Sequence, residues 1–520
     1  MTASASPDPA TPDPVPSRLA TPREPSLLDA LIPVFALIFL IALTISLFGT
    51  DATGGPLQVA LFTSAVVAAL VAFKNGHSTA KVRDAAVGGI TSAMSAVFIL
   101  LAVGALIGAW NMAGTIPTVV YYGVGLLNVT WFYPVTALIC GVVGLTIGSS
   151  WTTAATLGVA FVALAPLLGA NPAITAGAVI SGAYFGDKMT PISETTVLVP
   201  SVVGGVTTQE HVGAMIWTSG PAILLALLGF VILGLVTPTA DVVFDPAQAQ
   251  AVLAGEFWIS PINLLPLIML IILSLRRAPP FLSIFGSALF AAALACFTQA
   301  PVVQAFVDRP DAGALETSIV GIYTVIANGF VSNSGNATID ALFSRGGMDS
   351  MLTTIWLVLG ALSYAAIMED AGFLERLIRP VLARAHTAGR LIASVIMTCL
   401  GLNIIAGDQY VAIVMPSRIY RLEFAKRGIA PRMLSRAVED SGTVTSPLVP
   451  WNSCGAYMAG VLGVATIAYL PYCFFNLASP LISLIYGFSG FKIEHIPPTG
   501  TTDPPVGALP DTPTLEGGTA

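Results

Sequence analysis

The chain has 520 residues, of which 55% are hydrophobic and only 9% carry a charge. Ordinary soluble domains carry about 25% charged residues, so this composition excludes a soluble globular protein and indicates an integral membrane protein. The formal charge of −7 says little about partners, because the placement of lysine and arginine sets the orientation of membrane helices. We expect a lipid bilayer around the chain and no nucleic-acid partner.

Apolar stretches follow an N-terminal segment that is rich in proline, alanine, threonine and serine. This segment lacks the basic start of a signal peptide and predicts a disordered tail. The later stretches are long enough to cross a bilayer, and they cover residues 28–48, 57–73, 87–110, 212–236, 257–275, 281–297 and 353–368, with more towards residue 486. We predict an all-α polytopic membrane protein with about 10 to 13 spanning or half-spanning helices.

The predicted organisation contains two repeats and the segments around them. In chain order we predict a disordered tail (1–24), a first membrane helix (25–56), repeat 1 (57–207), connecting helices (208–314), repeat 2 (315–466), a terminal membrane helix (467–492) and a second disordered tail (493–520). Five cysteines lie singly in apolar segments, so we expect small buried residues rather than disulfides or metal ligands.

Recurring residues at a constant offset indicate the two repeats. The pair Gly88-Gly89 and Ser92 recur 258 residues later. An offset of 259 residues then relates a longer set: Gly148, Gly169, Pro172, Ala178, Val179 and Pro191 recur as Gly407, Gly428, Pro431, Ala437, Val438 and Pro450. A single residue of slippage over so long a stretch favours two structural copies.

The basic residues of the two repeats indicate opposite orientations. In repeat 1, residues 159–177 carry no charge. The matching stretch of repeat 2 carries Arg418, Arg421, Lys426, Arg427, Arg432 and Arg436. Because basic loops stay cytoplasmic, corresponding segments are expected on opposite membrane faces. This predicts inverted-topology repeats, which are common in secondary transporters.

Each repeat has two polar interruptions. A short apolar segment runs to Gly148 or Gly407 and returns as a second one, and neither arm is expected to be long enough to span, which predicts a re-entrant hairpin. The next helix is interrupted at "GDKMTPISETT" (186–196) or "SGTVTSPLVPWNS" (441–453), where proline removes a backbone donor. Irregular backbone at membrane depth persists only where protein or a wet cavity surrounds it, so the four interruptions are predicted to converge.

Oxygen-bearing side chains dominate these interruptions. Hard cations such as Na⁺ prefer oxygen ligands, and a buried carboxylate can hold a proton or a cation in turn. The candidate ligands are Ser149, Asp187, Ser193, Glu194 and Thr195 in repeat 1 and Asp408, Gln409, Asp440, Ser441, Thr443, Thr445 and Asn452 in repeat 2. At the 259-residue offset Asp187 matches Ser446, and Ser149 matches Asp408. A symmetric scaffold with asymmetric charge predicts one ion site rather than two equal ones.

Several of these charges have a structural alternative. Lys188 is expected to neutralise Asp187 in the empty state, although the two could form an ion pair that only holds the interruption. Glu194 could cap the following half-helix. Asp440 could lie outside the membrane with Glu439, beside Arg436.

Four motifs together resemble the NhaC family of sodium/proton antiporters. They are "GDKMTPISETT" (186–196), "LFSRGGMDSM" (342–351), "GDQYVAIVMP" (407–416) and "RAVEDSGTVTSPLVPWNSCGAYMAG" (436–460). The resemblance covers most of residues 26–492 and implies a cation/proton exchanger with inverted repeats, paired hairpins and elevator-like movement. It implies ion-site roles for Asp187, Lys188, Ser193, Thr195, Asp408, Gln409, Asp440, Ser441, Thr443, Thr445 and Asn452.

The leading functional expectation is a Na⁺/H⁺ antiporter in a bacterial inner membrane, with a cytoplasmic N-terminus. Na⁺ and H⁺ are the expected transported ions, no cofactor is expected, and a homodimer is left open. The alternative is an Na⁺/H⁺-coupled exchanger of small organic acids of the malate/lactate type. A remote alternative is an intramembrane aspartyl protease, because Asp187 and Asp408 each follow a glycine in an apolar segment.

Overall fold

The structure is a computed structural model that describes residues 22–126, 129–237, 246–333, 335, 340 and 342–496. These residues are helical, and the only β-pairing among them is an isolated antiparallel bridge between Ile429 and His495. Nine helices in the described ranges are long and apolar enough to cross a membrane, or eleven when each of two sharply bent pairs counts as one span. The chain is therefore an all-α integral membrane protein, as predicted.

The helices of the first half, up to residue 236, alternate long apolar segments with two interruptions. Their bounds are Leu27–Phe48, Pro56–Lys74, Thr79–Met112, Thr115–Leu126, Val129–Ile147, Ser150–Thr153, a π-helix at Ala154–Gly158, Val159–Leu167, Pro172–Lys188, Glu194–Val203 and Thr208–Val236, with a 3₁₀ turn at Gly49–Gly54.

The helices of the second half include a further π-helix. Their bounds are Pro246–Glu256, a 3₁₀ turn at Pro261–Leu264, Leu265–Leu275, Pro280–Thr298, Ala300–Val307, Ala314–Asn328, a 3₁₀ turn at Asp349–Met351, Leu352–Asp370, Phe373–Ala383, Ala388–Ile405, Gln409–Lys426, Pro431–Val438, the π-helix Glu439–Thr443, a 3₁₀ turn at Ser446–Leu448, Ser453–Leu462, Thr466–Tyr469, a 3₁₀ turn at Leu470–Tyr472 and Phe474–Ser489.

In each half of the chain, two pairs of consecutive helices flank the two predicted interruptions. We call residues 129–147 and 150–167 the first hairpin, and residues 388–405 and 409–426 the second hairpin. The first broken helix comprises Pro172–Lys188 and Glu194–Val203. The second broken helix comprises residues 431–448 and Ser453–Leu462. Helix breaks therefore lie inside both motifs where proline predicted them.

The ends of these helices match at the offset of 259 residues. Gly148 and Gly407 both have a positive φ, of 74° and 62°, which only glycine adopts without strain. The residue that follows each glycine caps the next helix: the side chains of Ser149 and Asp408 accept from backbone N–H groups three residues on. These matched ends support two structural repeats.

Buried apolar side chains form two cores, and each broken helix crosses from one core to the other. The first core contains the first hairpin and the Pro172–Lys188 half, and the second contains the second hairpin and residues 433–438. The remaining halves are exchanged: Val199 and Val203 lie in the second core, and Tyr457 and Met458 lie in the first. The broken helices thus cross in opposite order, as expected of two copies related by a two-fold axis; the inverted relation and the orientation to a membrane stay predictions.

Two predicted lengths were wrong. Both arms of the first hairpin reach the length and hydropathy of membrane spans, at Thr130–Ile147 and Ser150–Leu168, because the helix resumes directly after the capped turn at Ser149. In the stretch 257–275 the helix begins only at Pro261, whose missing N–H suits it to the first turn of a helix, and a bend of 87° separates it from Gln250–Glu256. Of the predicted tails (1–24 and 493–520), residues 1–21 and 497–520 lie outside the described residues.

Close backbone approach holds the first hairpin to the first broken helix. A Cβ added to Gly182 would collide with the carbonyl oxygen of Ala137, and one added to Gly186 would collide with that of Gly141. Membrane helices use such small residues because close packing, not the hydrophobic effect, holds helices together in lipid. The packing fixes the end of this half-helix, and with it Asp187 and Lys188.

We expect Gly182→Ala to lower the free energy of unfolding by about 1–3 kcal/mol, since the added methyl group forces the two helices apart. The matched control is Gly401→Ala, because an added Cβ there meets no atom within 4 Å. That control should be neutral or slightly stabilising, as alanine favours a helix over glycine. Thermal denaturation in detergent compares the two variants, and equal transition midpoints would contradict the packing role of Gly182.

Candidate functional site

Four ionisable side chains lie buried where the two broken helices meet. Asp187 and Lys188 end the first half-helix of repeat 1, while Glu439 and Asp440 begin the π-helix of repeat 2. Lys188, Glu439 and Asp440 are 0% exposed, and Asp187 is 8% exposed. Charged groups in the apolar interior are costly, so their concentration at one place marks the candidate site.

Lys188 forms a buried ion pair with Asp440, across the two repeats. The Lys188 ammonium donates to Asp440 Oδ1 and also to Ser479 Oγ, at 3.1 Å. The same Oδ1 accepts a hydrogen bond of 2.8 Å from Thr218 Oγ1. The expectation that Lys188 neutralises Asp187 was therefore wrong, because the ammonium points to the opposite repeat. The alternative that makes Glu439 and Asp440 a surface pair was also wrong, since both side chains are fully buried.

Asp187 binds the tip of the first hairpin instead. Its Oδ2 accepts from the backbone N–H and the hydroxyl of Ser150, at 3.1 and 2.7 Å. Ser149, the predicted ligand, uses its hydroxyl to accept from the Thr152 N–H at 3.2 Å and so caps the helix. The residue at the site is thus Ser150, which lies in the predicted hairpin tip but was not selected as a ligand from the sequence.

Asp408 and Gln409 occupy the tip of the second hairpin. Asp408 Oδ1 accepts from the Val411 N–H at 3.0 Å, as a helix cap does, and Ser453 Oγ donates to Oδ2 at 3.4 Å. Gln409 Oε1 accepts from Ser446 Oγ at 2.8 Å and from Cys454 Sγ at 3.1 Å. The second tip is therefore tied to the second broken helix, as Asp187 ties the first tip to the first broken helix.

The predicted hydroxyl and amide ligands divide into two groups. Ser441, Thr445 and Asn452 are engaged in structural hydrogen bonds: Ser441 and Thr445 donate to backbone carbonyls one turn earlier, and Asn452 caps the helix that begins at Ser453. The hydroxyls of Ser193 and Thr195 lie 3.3 Å apart and are buried. Thr443 Oγ1 is buried and has no hydrogen-bond partner among the described residues. Glu194 is exposed and begins its half-helix directly after the capping position of Ser193.

Glu439 was not selected from the sequence, yet its side chain is fully buried. Neither of its carboxylate oxygens has a hydrogen-bond partner among the described residues. Lys188 and Asp187 are both close enough for direct electrostatic interaction with it. The sequence offered one indication of a role for Glu439, its position beside Asp440 inside the motif 436–460. The nearby Arg436 instead suggested that Glu439 belongs to a surface pair.

The junction offers oxygen atoms as ligands. The described part of the chain contains no group of three or more histidine, cysteine or acidic side chains placed to hold a metal ion. It contains carboxylate and hydroxyl oxygens, which are the ligands of hard cations.

The chain matches a known protein family over most of its length. A family model described as "Na+/H+ antiporter family" matches residues 25–204 and 182–491. The chain belongs to this Na⁺/H⁺ antiporter family. The resemblance to NhaC antiporters is thereby confirmed, and family membership indicates a transporter rather than an enzyme.

Curated relatives in this antiporter family align over most of their own length. The Na⁺/H⁺ antiporter NhaC of Alkalihalophilus pseudofirmus is 34% identical over 79% of this chain and 85% of its own. The arginine/ornithine antiporter ArcD of Halobacterium salinarum is 33% identical over 91% of this chain and 93% of its own. A malate-2H⁺/Na⁺-lactate antiporter of Bacillus subtilis is 32% identical over 84% of this chain and 90% of its own.

Proposed function

We propose that this protein is a secondary active transporter that exchanges Na⁺ for H⁺. The observation that carries the proposal is the buried junction of Asp187, Lys188, Glu439 and Asp440. Three carboxylates meet there with the Lys188 ammonium, and the buried guanidinium of Arg436 interacts electrostatically with Asp440. The carboxylates still outnumber these two cations. Ionisable groups inside a membrane protein commonly mark ion and proton pathways. The family membership and the name of the relative from Alkalihalophilus pseudofirmus support Na⁺ and H⁺ as the ions.

The exchange of Na⁺ for H⁺ keeps the net charge of the buried junction constant. Both hydrogen bonds from Ser150 reach Asp187 Oδ2, and the Ser193 hydroxyl also lies beside this carboxylate. We infer that Asp187 takes a cation or a proton in turn. Releasing a proton as Na⁺ arrives keeps the net charge of the junction constant, which avoids the large cost of adding charge to a low-dielectric interior. The Lys188–Asp440 pair ties the first broken helix to the second while this happens.

The same proposal covers the ion ligands, the location of the protein and its movement. Asp187, with Asp408 or Asp440, provides the exchanging carboxylates, and the buried hydroxyls of Ser193 and Thr443 contribute oxygen ligands. The protein lies in a bacterial inner membrane with a cytoplasmic N-terminus, and it uses no cofactor. Transport proceeds by elevator-like movement of the hairpins and broken helices.

The organic-acid exchanger remains the second candidate, because one relative is a malate-2H⁺/Na⁺-lactate antiporter. An organic anion needs a positive group to bind its carboxylate. Lys188 is already paired with Asp440. The buried guanidinium of Arg436 donates to the Lys492 carbonyl and interacts electrostatically with Asp440. The geometry therefore favours a cation over an organic anion.

The protease alternative requires two aspartates that share a proton. Asp187 binds Ser150, whereas Asp408 binds Val411 and Ser453, so the two carboxylates share no hydrogen-bond partner among those that the structure describes. This separation disfavours proteolysis by these two residues.

The experiment for the proposed function uses the full chain in proteoliposomes with an imposed pH gradient. Adding Na⁺ is expected to dissipate the gradient, whereas choline at the same ionic strength is not. Counterflow of labelled malate or lactate is measured in the same vesicles. Organic-acid counterflow without any response to Na⁺ alone would contradict Na⁺/H⁺ exchange and favour the second candidate.

A further inference from the structure

The π-helix Glu439–Thr443 concentrates buried oxygen atoms that have no hydrogen-bond partner. Among the described residues these are both carboxylate oxygens of Glu439, Oδ2 of Asp440 and Oγ1 of Thr443. Buried polar atoms are nearly always paired, so several orphan oxygens within one turn need a physical cause. π-helical turns occur frequently at functional sites, because the widened turn changes which side chains point inwards.

Glu439 is the least compensated carboxylate of the junction. Asp440 has Lys188, Thr218 and Ser479 around its Oδ1, and Asp187 has two donors from Ser150. Glu439 forms neither an ion pair nor a hydrogen bond with any described residue, although it is 0% exposed. A buried charge without a bonded partner is strongly unfavourable, so Glu439 must hold a proton or take a cation in its place.

Hydroxyl oxygens from both repeats surround this carboxylate. Thr443 lies four residues after Glu439 on the same turn, and Thr195 approaches from the first broken helix. Both hydroxyls lie beside the carboxylate, yet neither meets hydrogen-bond geometry with it. Oxygen atoms that lie side by side with no hydrogen bond between them resemble the ligand set of a bound cation.

We propose that the transported cation binds at the π-helix, with Glu439 as its charged ligand and the hydroxyls of Thr443 and Thr195 as neutral ligands. This inference rests on the proposed Na⁺/H⁺ exchange and deepens it by naming the site. The Lys188–Asp440 pair then also positions this site, because it fixes the π-helix against the first broken helix and holds the ammonium at Asp440. One carboxylate with two hydroxyls suits a monovalent hard cation better than a divalent one.

The test measures Na⁺ binding directly, on the purified full chain in detergent, by titration calorimetry. Glu439→Gln is expected to raise the Kd for Na⁺ at least about a hundredfold, whereas Thr443→Val should raise it about tenfold, as charged and neutral ligands differ in strength. The matched control is Glu375→Gln, because Glu375 is exposed and pairs only with Arg379 on its own helix. Its Kd should equal that of the native chain.

Thr443→Val separates a ligand from a structural residue. Its hydroxyl has no hydrogen-bond partner among the residues that the structure describes, so valine should leave the thermal midpoint unchanged or raise it while weakening Na⁺ binding. Native Kd values in both Glu439→Gln and Thr443→Val, alongside normal Na⁺/H⁺ exchange, would overturn this site but leave the proposed function intact. A native chain that neither binds nor transports Na⁺ would overturn both.

Discussion

Asp440→Asn is expected to abolish Na⁺-driven proton movement and to lower the free energy of unfolding by about 3–5 kcal/mol. The substitution leaves the buried Lys188 ammonium with neutral acceptors, Ser479 and an amide oxygen, and with no opposite charge bonded to it. Removing one partner of a buried pair is costly because the remaining charge keeps its desolvation penalty. Proteoliposome transport and thermal denaturation in detergent measure the two effects.

The double variant Lys188→Gln, Asp440→Asn distinguishes the charge from the fold. Removing both charges should restore most of the stability, because two neutral side chains can bond to each other, yet transport should stay absent. The exposed pair of Arg379 and Glu375 provides the control, since Glu375→Gln should change stability by less than about 1 kcal/mol. An Asp440→Asn protein with the native midpoint would contradict the buried pairing.

Asp187→Asn is expected to reduce Na⁺-dependent dissipation of a pH gradient to the level of protein-free liposomes. Asparagine matches the shape of aspartate and can still accept from Ser150, so the fold should persist. The neutral amide can neither carry a proton in exchange nor offset the charge of a cation. A loss of about 3 kcal/mol of charge-assisted interaction corresponds to roughly a hundredfold in rate.

The control for Asp187→Asn is the same change at Asp84. Asp84 is exposed and pairs with its neighbour Arg83, far along the chain from the junction. Asp84→Asn should therefore transport at the native rate. Equal rates in the two variants would remove Asp187 from the exchange mechanism.

Local sequence chemistry accounts for the parts of the fold that could be predicted. Proline within "GDKMTPISETT" and "SGTVTSPLVPWNS" acts on its own turn, so both helix breaks followed from sequence alone. Gly148 and Gly407 also act locally, because glycine permits the positive φ of a left-handed turn. The arms of the first hairpin proved longer than expected, because Ser149 caps the next helix immediately and hardly any residues are lost to the turn.

Long-range pairing could not be predicted in the same way. Lys188 and its partner Asp440 are 252 residues apart, and the adjacent Asp187 was the obvious partner in the sequence. The choice depends on where helix ends point, since consecutive residues of a helix face different directions. Asp187 points to the hairpin tip, and Lys188 points across the repeats.

The π-helix could not be predicted from the sequence either. A regular helix through Arg436 and Glu439 permits a surface pair, and the basic residues before Arg436 made that alternative reasonable. In the structure the turn widens at Glu439, and its side chain is buried against elements of the other repeat. The ion-site residues selected from sequence stay predictions, but burial and hydrogen bonding now rank them: Thr443 is free to act, whereas Ser441 and Thr445 are engaged.

In the proposed mechanism, Na⁺ and a proton compete for buried carboxylate at the junction of the broken helices. The most direct measurement is exchange of radiolabelled Na⁺ in proteoliposomes with equal pH on both sides, over a series of pH values. We predict that the apparent KM for Na⁺ rises as the pH falls, approaching about tenfold per pH unit, while the maximal rate stays constant. An apparent KM that does not change with pH would show that the two ions use separate groups and would contradict the claim.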